Sequence, residues 1–576
     1  MHAVNRICSR FRASSSHNEG FIHKLPENLL LACLLLLDAP DLVEYRQICR
    51  HWRSLIDSDK YLQFKIGLWA EGLLDGLDNT MGVDAQSKLL CDYKARWKDA
   101  QFLRDLDCIQ VGPDDIRARK TQSSIDGSVM YMLPAGHSPR LVVCSPPSTL
   151  RRLEKRVWTL PLADIEGNIF RIAVDVSQDL LLVAEAPSSE TQWDIQLHLL
   201  SLENGGRRHP QAASPVIRPL RRPTSGRERH MTFVYALRIC GHHVAWIVNS
   251  LGLSARGRLD LEVWNWRTGR TVWARTLDKY SFTFLDPLHI ALVNLNDLLE
   301  APRTLQIYTI AATGLNEGEA VLKPIKSGDP SRICSLQLPP LRRKYSSRLR
   351  CEKIVCNAHS PTAHSAFEPD PGSALLTIHL QVDSVGFILV IPLWALRREK
   401  DRVLARPSYL RRRTLSWSEW GPRCGMMLPL AHTKHHAHSL LLRDLEAFGP
   451  RLGLLPDFRE RNPESSGQII LMDFSRTPGP SAERVRYTNS TASELLQSVL
   501  AERGIWSRYF SDSTMRSTLP CLVTAGPDVS LPKWDGGRTA VAKRLVMQPD
   551  GFTLVYQRKN DSSLDAQDLR FDTYYV

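Results

Sequence analysis

Between Phe21 and Ile66 the chain has no glycine, and only Pro26 and Pro40 interrupt that stretch. A window almost free of both backbone punctuators excludes a turn-rich segment and leaves helices. The 12 cysteines contain no Cys-x-x-Cys pair. That excludes the common zinc ribbons and thioredoxin-type motifs and suits reduced, buried thiols, hence a cytoplasmic or nuclear setting. Long apolar runs are missing too. The longest, residues 29–37, reads LLLACLLLL, and as a helix it reaches only about 13 Å where a span needs about 20 residues. A secretory signal fits that length. However, Pro26, Glu27 and Asn28 stand where a basic segment would run into the apolar core, and Asp38-Ala39-Pro40 would put proline beside the cleavage site. These features argue against both export and a membrane.

Catalytic signatures are also missing. There is no Gly-x-Ser-x-Gly elbow, His-Glu-x-x-His helix, phosphate loop or dinucleotide glycine fingerprint. Cys351, Cys356, His359 and His364 supply soft ligands at a spacing that matches no common zinc frame. His432, His435, His436 and His438 sit in one loop, whereas a structural site needs ligands fixed from more than one element. The expectation is a protein with no catalytic residues, no cofactor and no metal.

What is present is a globular composition, 43% apolar and 23% charged over 576 residues, with 35 prolines and 32 glycines scattered along it. Scattered punctuation predicts many short elements joined by turns. The net charge is +13, with basic clusters at 205–230, 341–350 and 410–414. None is interleaved with the aromatics that stack bases, which argues against nucleic acid and toward solvated loops. The basic excess also suits an acidic or phosphorylated ligand.

Pro26 and Pro40 mark two helix starts, since proline is tolerated in a first turn, and Asp38 is placed to cap the second. Leu42, Tyr45, Ile48, Cys49, Trp52, Leu55 and Ile56 recur at three and four, predicting one amphipathic second helix. A third helical stretch covers 60–74. The first helix is apolar nearly all round, yet a unit of about 45 residues buries too little surface to cover it. The rest of the chain or another protein must do so.

The stretch 25–56 resembles the F-box, a helical module that docks on a Skp-type adaptor of cullin-based ubiquitin ligases. Leu25-Pro26-Glu27 opens the pattern. Leu29, Leu30, Cys33, Leu34 and Leu37 follow, then Asp38, Asp41 and Leu42, then Ile48, Cys49, Arg50 and Trp52. The resemblance implies adaptor binding by Leu25, Pro26, Leu29, Leu30, Cys33, Leu34, Leu37, Leu42, Val43, Ile48, Cys49 and Trp52. Two departures stand out: Leu31, Leu35 and Leu36 where many members are polar, and proline at 40 instead of directly after the aspartate.

Beyond about residue 128 the pattern changes to short alternating stretches. Those beginning near 193, 259, 305, 386 and 467 share one layout, a β-rich strand running into a polar or glycine turn. Partners precede four of them, at 179–186, 243–250, 289–295 and 374–382, and the segments 549–559 and 569–576 could close a ring. The layout resembles a degenerate WD-repeat-like β-propeller, with 261–274 the best copy and stacked β-sandwiches the competing architecture. Trp246, Trp264, Trp266 and Trp273 are read as blade packing.

The expected fold is therefore α+β and multidomain. A disordered start (1–20) precedes a three-helix F-box (21–66), a helical connector and linker (67–127), and a large antiparallel all-β domain (128–576) with basic insertions. Two functions remain open. One is a substrate receptor that meets a cullin-RING ligase through the adaptor and recruits an unknown protein substrate. The other is a propeller scaffold or nucleic-acid-associated factor that uses the F-box for assembly alone.

Overall fold

The structure is a computed structural model. It describes residues 26–576 apart from 77–80, 105–108, 112–120, 124–128, 136–137, 151, 163–164, 166, 187–194, 221–232, 250–258 and 278–279, and apart from the breaks that follow. Those lie at 296–302, 311–322, 325–328, 330, 358–364, 384, 406–413, 431–441, 457–466, 476–484, 488–508, 511–516, 518, 530–539 and 559–568. Leu25, residues 1–20, the histidine run and His359 and His364 thus lie outside the described residues.

Helix α1 (Glu27–Leu35) starts directly after Pro26, whose carbonyl accepts from the backbone N–H groups of Leu29 and Leu30 at 3.0 and 3.1 Å. Helix α2 (Ala39–Tyr45) begins after Asp38 with Pro40 in its first turn. The long second helix expected from periodicity is two helices, because α3 (Arg50–Ser58) starts after an extended Cys49. A straight helix from Leu42 to Ile56 would spread its apolar positions over about 21 Å. Folding back at 46–49 instead brings Leu42, Leu55 and Ile56 onto one small core. Arg46 reaches across the bend to Asp57 at 2.7 Å, and the Tyr45 and Trp52 rings meet at 5.3 Å. Helix α4 (Lys60–Ala70) is capped by the Asp59 carboxylate, which accepts from the Leu62 N–H at 2.9 Å.

Among its described residues, the segment read as a helical connector holds the helix α5 (Val83–Lys98) and strands besides. Leu73–Asp75 pairs antiparallel with Phe367–Pro369. Leu103–Arg104 and Ile109–Val111 pair with the distant strand Leu569–Tyr575. These pieces are too short for period-two alternation to show, so only α5 was visible as a regular element.

Among the described residues the β domain forms seven sheets of four or five strands in chain order, arranged as propeller blades. Each is an antiparallel meander, with a parallel edge strand added in the third, fourth and sixth; numbered 1 to 7, their first strands are Thr121–Ser123, Asn168–Asp175, Phe233–Cys240, Tyr280–Asp286, Leu349–Cys356, Leu442–Phe448 and Ala540–Gln548. The first strands of neighbouring sheets lie side by side: Phe233–Cys240 against both Asn168–Asp175 and Tyr280–Asp286, Tyr280–Asp286 against Leu349–Cys356, and Leu442–Phe448 against Ala540–Gln548. Apolar side chains fill the space between consecutive sheets. Leu141 and Val143 of sheet 1 meet Ile172 and Val183 of sheet 2, and Ala184 and Leu197 meet Leu237 and Trp246 of sheet 3. Val263 and Trp273 meet Phe282 and Tyr308 of sheet 4. Trp246 and Trp266 are almost fully buried and Trp273 nearly so, as blade packing requires.

Sheet 7 is Ala540–Gln548, Gly551–Arg558 and Leu569–Tyr575, completed by Leu103–Arg104 and Ile109–Val111. The Ser148 hydroxyl donates to the buried Asp550 carboxylate, joining sheet 1 to sheet 7. The basic stretch at 341–366, expected to be an inserted loop, includes the whole first strand of sheet 5, Leu349–Cys356. Leu349, Ile354 and Cys356 are buried while basic and acidic neighbours point outward. Charge density hid a strand there. Among the described residues no helix is long and apolar enough to cross a membrane.

Candidate docking face

Helix α1 has two apolar faces with different fates. Leu30 and Leu34, four apart, point into a core with Leu42, Leu55, Ile56, Leu62 and Ile66. Leu31, Leu37, Val43 and Trp52 are partly buried against that core. Leu29, Cys33 and Leu36, at spacings of four and three, form the opposite face and remain exposed, Leu36 at 86% and Leu29 at 50%. Leu35, at 45%, widens this patch. Ile48, in the bend between α2 and α3, is 62% exposed, and Pro26, at the start of α1, is exposed as well. Cys49 is partly exposed.

The structure therefore divides the sequence-derived set. Pro26, Leu29, Cys33 and Ile48 are open to a partner. Leu30, Leu34 and Leu42 are buried within the chain and hold the module together. Of the unusual leucines, Leu35 and Leu36 face outward and Leu31 turns partly inward. Leaving side chains such as Leu29 and Leu36 in water forgoes about 1.5–3 kcal/mol each, and a contiguous apolar patch of this kind marks an interaction surface.

Sequence reasoning missed how this face is held relative to the β domain. Helix α4 buries two faces. Leu62 and Ile66 enter the helical core, while Phe64 and Leu68 join a second core with Phe367, Phe448, Ile469, Leu545, Phe552 and Tyr574 of the β domain. Leu90, Tyr93 and Trp97 of α5 fill the same core. Phe102 bridges it edge-on, 5.0 Å from Trp97 and 5.2 Å from Phe552.

An ion network seals this junction. Arg451, at the turn after Leu442–Phe448, bonds Glu71 at 3.0 Å and Asp473 at 3.2 Å, donates to the Tyr93 hydroxyl, and stacks over Trp97 at 4.3 Å. Burial disfavours the Arg451 charge, but Tyr93, Asp473 and Glu71 outweigh it and keep the guanidinium ionised. Burial also pushes the Glu71 carboxyl up, against the pull of Arg451. The paired spacings Leu62/Ile66 and Phe64/Leu68 were the available signal for a helix covered on both sides.

The described residues thus form a small helical module with one filled and one bare apolar face, fixed to a propeller-like β domain. Comparison with known families makes this specific: the model of the F-box domain matches residues 22–64. The chain carries an F-box domain followed by a large β-propeller-like domain. No curated protein matches the chain. A solved structure of an uncharacterized protein from Listeria monocytogenes EGD-e aligns at 10% identity with a TM-score of 0.28, covering 50% of this chain and 66% of that one. The chain thus spans a little under two thirds of that protein, and so low a score carries no argument. Among the described residues no three His, Cys, Asp or Glu side chains gather as metal ligands.

Proposed function

We propose that this protein is a substrate-receptor subunit of a Skp–cullin–F-box ubiquitin ligase, acting in the cytoplasm or nucleus. The bare apolar face of Leu29, Cys33, Leu35 and Leu36 on an F-box whose inner face is already filled carries this reading. The F-box docks the Skp-type adaptor, and the β domain recruits a protein substrate. The receptor contributes no acid, base or nucleophile. It raises the effective concentration of a substrate lysine near the loaded ubiquitin carrier, whose chemistry belongs to other subunits. A junction whose core is shared by α4, α5 and the β domain suits that task, because proximity acts only when the geometry is held.

Recovery of a Skp-type adaptor with the purified chain tests the docking step. Leu29→Asp combined with Leu36→Asp places charge on exposed positions, so adaptor recovery falls at least tenfold with an unchanged thermal midpoint. Leu34→Asp is the contrasting variant, because a buried carboxylate there unfolds the module itself. Undiminished adaptor recovery by the exposed double variant would sink the assignment.

A further inference from the structure

An added strand covers the outer edge of most sheets in this protein. In sheets 3, 4 and 6 the added strand runs parallel: Lys323–Pro324 beside Arg270–Leu277, Thr414–Leu415 beside Arg332–Gln337, and Val485–Tyr487 beside Cys521–Val529. Val216–Ile217 covers the edge of sheet 2, and Leu103–Arg104 with Ile109–Val111 covers that of sheet 7. Sheet 5 ends on Met426–Leu430, of which residues 426–429 are buried. Sheet 1 is the exception. Its outer strand, Arg156–Pro161, pairs with Ser138–Ser145 on one side, and among the described residues no strand pairs with the other.

An open edge offers a row of backbone N–H and C=O groups, and proteins normally blunt it with charge or proline. Here the blunting stays at the ends. Pro161 closes one end, and at the other Arg152, Lys155 and Arg156 outweigh Glu154. Between them Val157, 50% exposed, and the exposed Thr159 share one face. Both are β-branched and pack well beside a neighbouring strand. On the other face the Arg156 guanidinium lies 5.9 Å from the Trp158 ring centroid and pairs with Glu203 at 3.3 Å. Both members of that pair are more than half exposed, so it is weak and yields to a competing carboxylate. The charge also selects the occupant. The chain carries +13, and a second copy in parallel would set like charges side by side. An acidic segment of another protein meets the same end with complementary charge.

We propose that Arg156–Pro161 is a docking edge that takes up an extended, acidic segment of a partner protein as an added parallel strand. The acidic residues lead the segment and lie beside Arg152, Lys155 and Arg156. Parallel is the direction in which sheets 3, 4 and 6 accept their own added strands. Backbone bonds supply the affinity, and contacts with Val157 and Thr159 supply selectivity. This contact is separate from the bare face of α1 and does not depend on the receptor reading.

Fluorescein-labelled peptides DDTVTVTV, TVTVTVDD and KKTVTVTV are the probes, together with DDTVTVTV methylated at alternate backbone nitrogens, and anisotropy with the full chain is the readout. DDTVTVTV binds saturably and slows amide exchange at residues 156–161. The other three peptides bind at least tenfold more weakly. Arg156→Glu and Val157→Asp, both at exposed positions, weaken DDTVTVTV by the same factor at unchanged thermal midpoints. Equal affinity for the methylated peptide would mean charge attraction without strand addition and overturns the proposal. Equal affinity for TVTVTVDD, protection confined to other residues, or no saturable binding overturns it as well. Slowed exchange at 156–161 that rises with protein concentration in the absence of peptide assigns the edge to a second copy, against the proposal. Arg156→Glu keeps full adaptor recovery; a loss there would make this edge part of the F-box contact and refute its independence.

Discussion

Arg451 carries a charge into a junction that is otherwise aromatic and aliphatic. Two carboxylates, a phenol and an indole face compensate the loss of water around it. Removing one partner of such a group typically costs about 3–5 kcal/mol, because the others stay buried and unpaired. His379 shows the opposite solution, in which the side chain gives up its charge. It stands across the ladder from Lys353, and burial, then Lys353, pushes its imidazole down to about 3. The unfolded chain takes up that proton near pH 6.5. The resulting stability is complete above about pH 6.5 and drains as pH falls from there toward 3. His379→Gln is therefore expected to flatten the acid limb, losing about 2–3 kcal/mol less than wild type between pH 7 and 4.5. Urea midpoints at the two pH values measure this, and parallel losses in both proteins would refute it.

At the level of elements, α4 belongs to two cores at once, so the F-box and the β domain share a structural member. Calorimetry is expected to give one transition for α4 and the sheets it touches. Phe64→Ala with Leu68→Ala removes only the β-domain face, at about 2–5 kcal/mol per side chain, and should separate the F-box into its own, lower transition. A single transition lowered as a whole would contradict the two-core description.

The same scale shows what the sequence made legible. The five stretches beginning near 193, 259, 305, 386 and 467 are the third strands of sheets 2 to 6, and their four upstream partners are the second strands of sheets 2 to 5. Those strands are flanked on both sides within a sheet and buried along most of their length, so most of them read as continuous apolar runs. The first strands escaped notice for a physical reason. In sheets 2 to 7 each carries a register break, at Phe170, Tyr235, Leu285, Glu352, Arg443 and Lys543. One skipped residue shifts the apolar set to the other face, so a period-two pattern cannot persist across it. In the F-box, the residue types were visible but their division was not. Leu29 and Leu30 are alike in sequence, and only packing decides which turns outward.

For the whole molecule, a segment that lies between the F-box and the first sheet in sequence completes the last sheet. Leu103–Arg104 pairs with Leu569–Tyr575, and Arg104 bonds the buried Asp572 carboxylate. A chain starting at residue 121 would leave Leu569–Tyr575 as a bare edge, and exposed edges recruit other chains. Such a chain is expected to elute as oligomers or aggregate on gel filtration. A monomer with the full chain's thermal midpoint would refute that role for the segment.

Synthesis meets the same closure as a delay. Arg104 leaves the ribosome 468 positions ahead of Asp572. At about 5–20 residues per second the wait is roughly 20 to 90 s. Throughout that interval Leu103–Arg104 has no strand to join, and Phe64 and Leu68 of α4 lack the sheets that cover them. The leucines of α1 are already present on the nascent chain, so the adaptor of the proposed receptor function would meet its docking face before the other end of the molecule exists. Early engagement would shield that apolar face during the period when the growing chain is most exposed to misassembly.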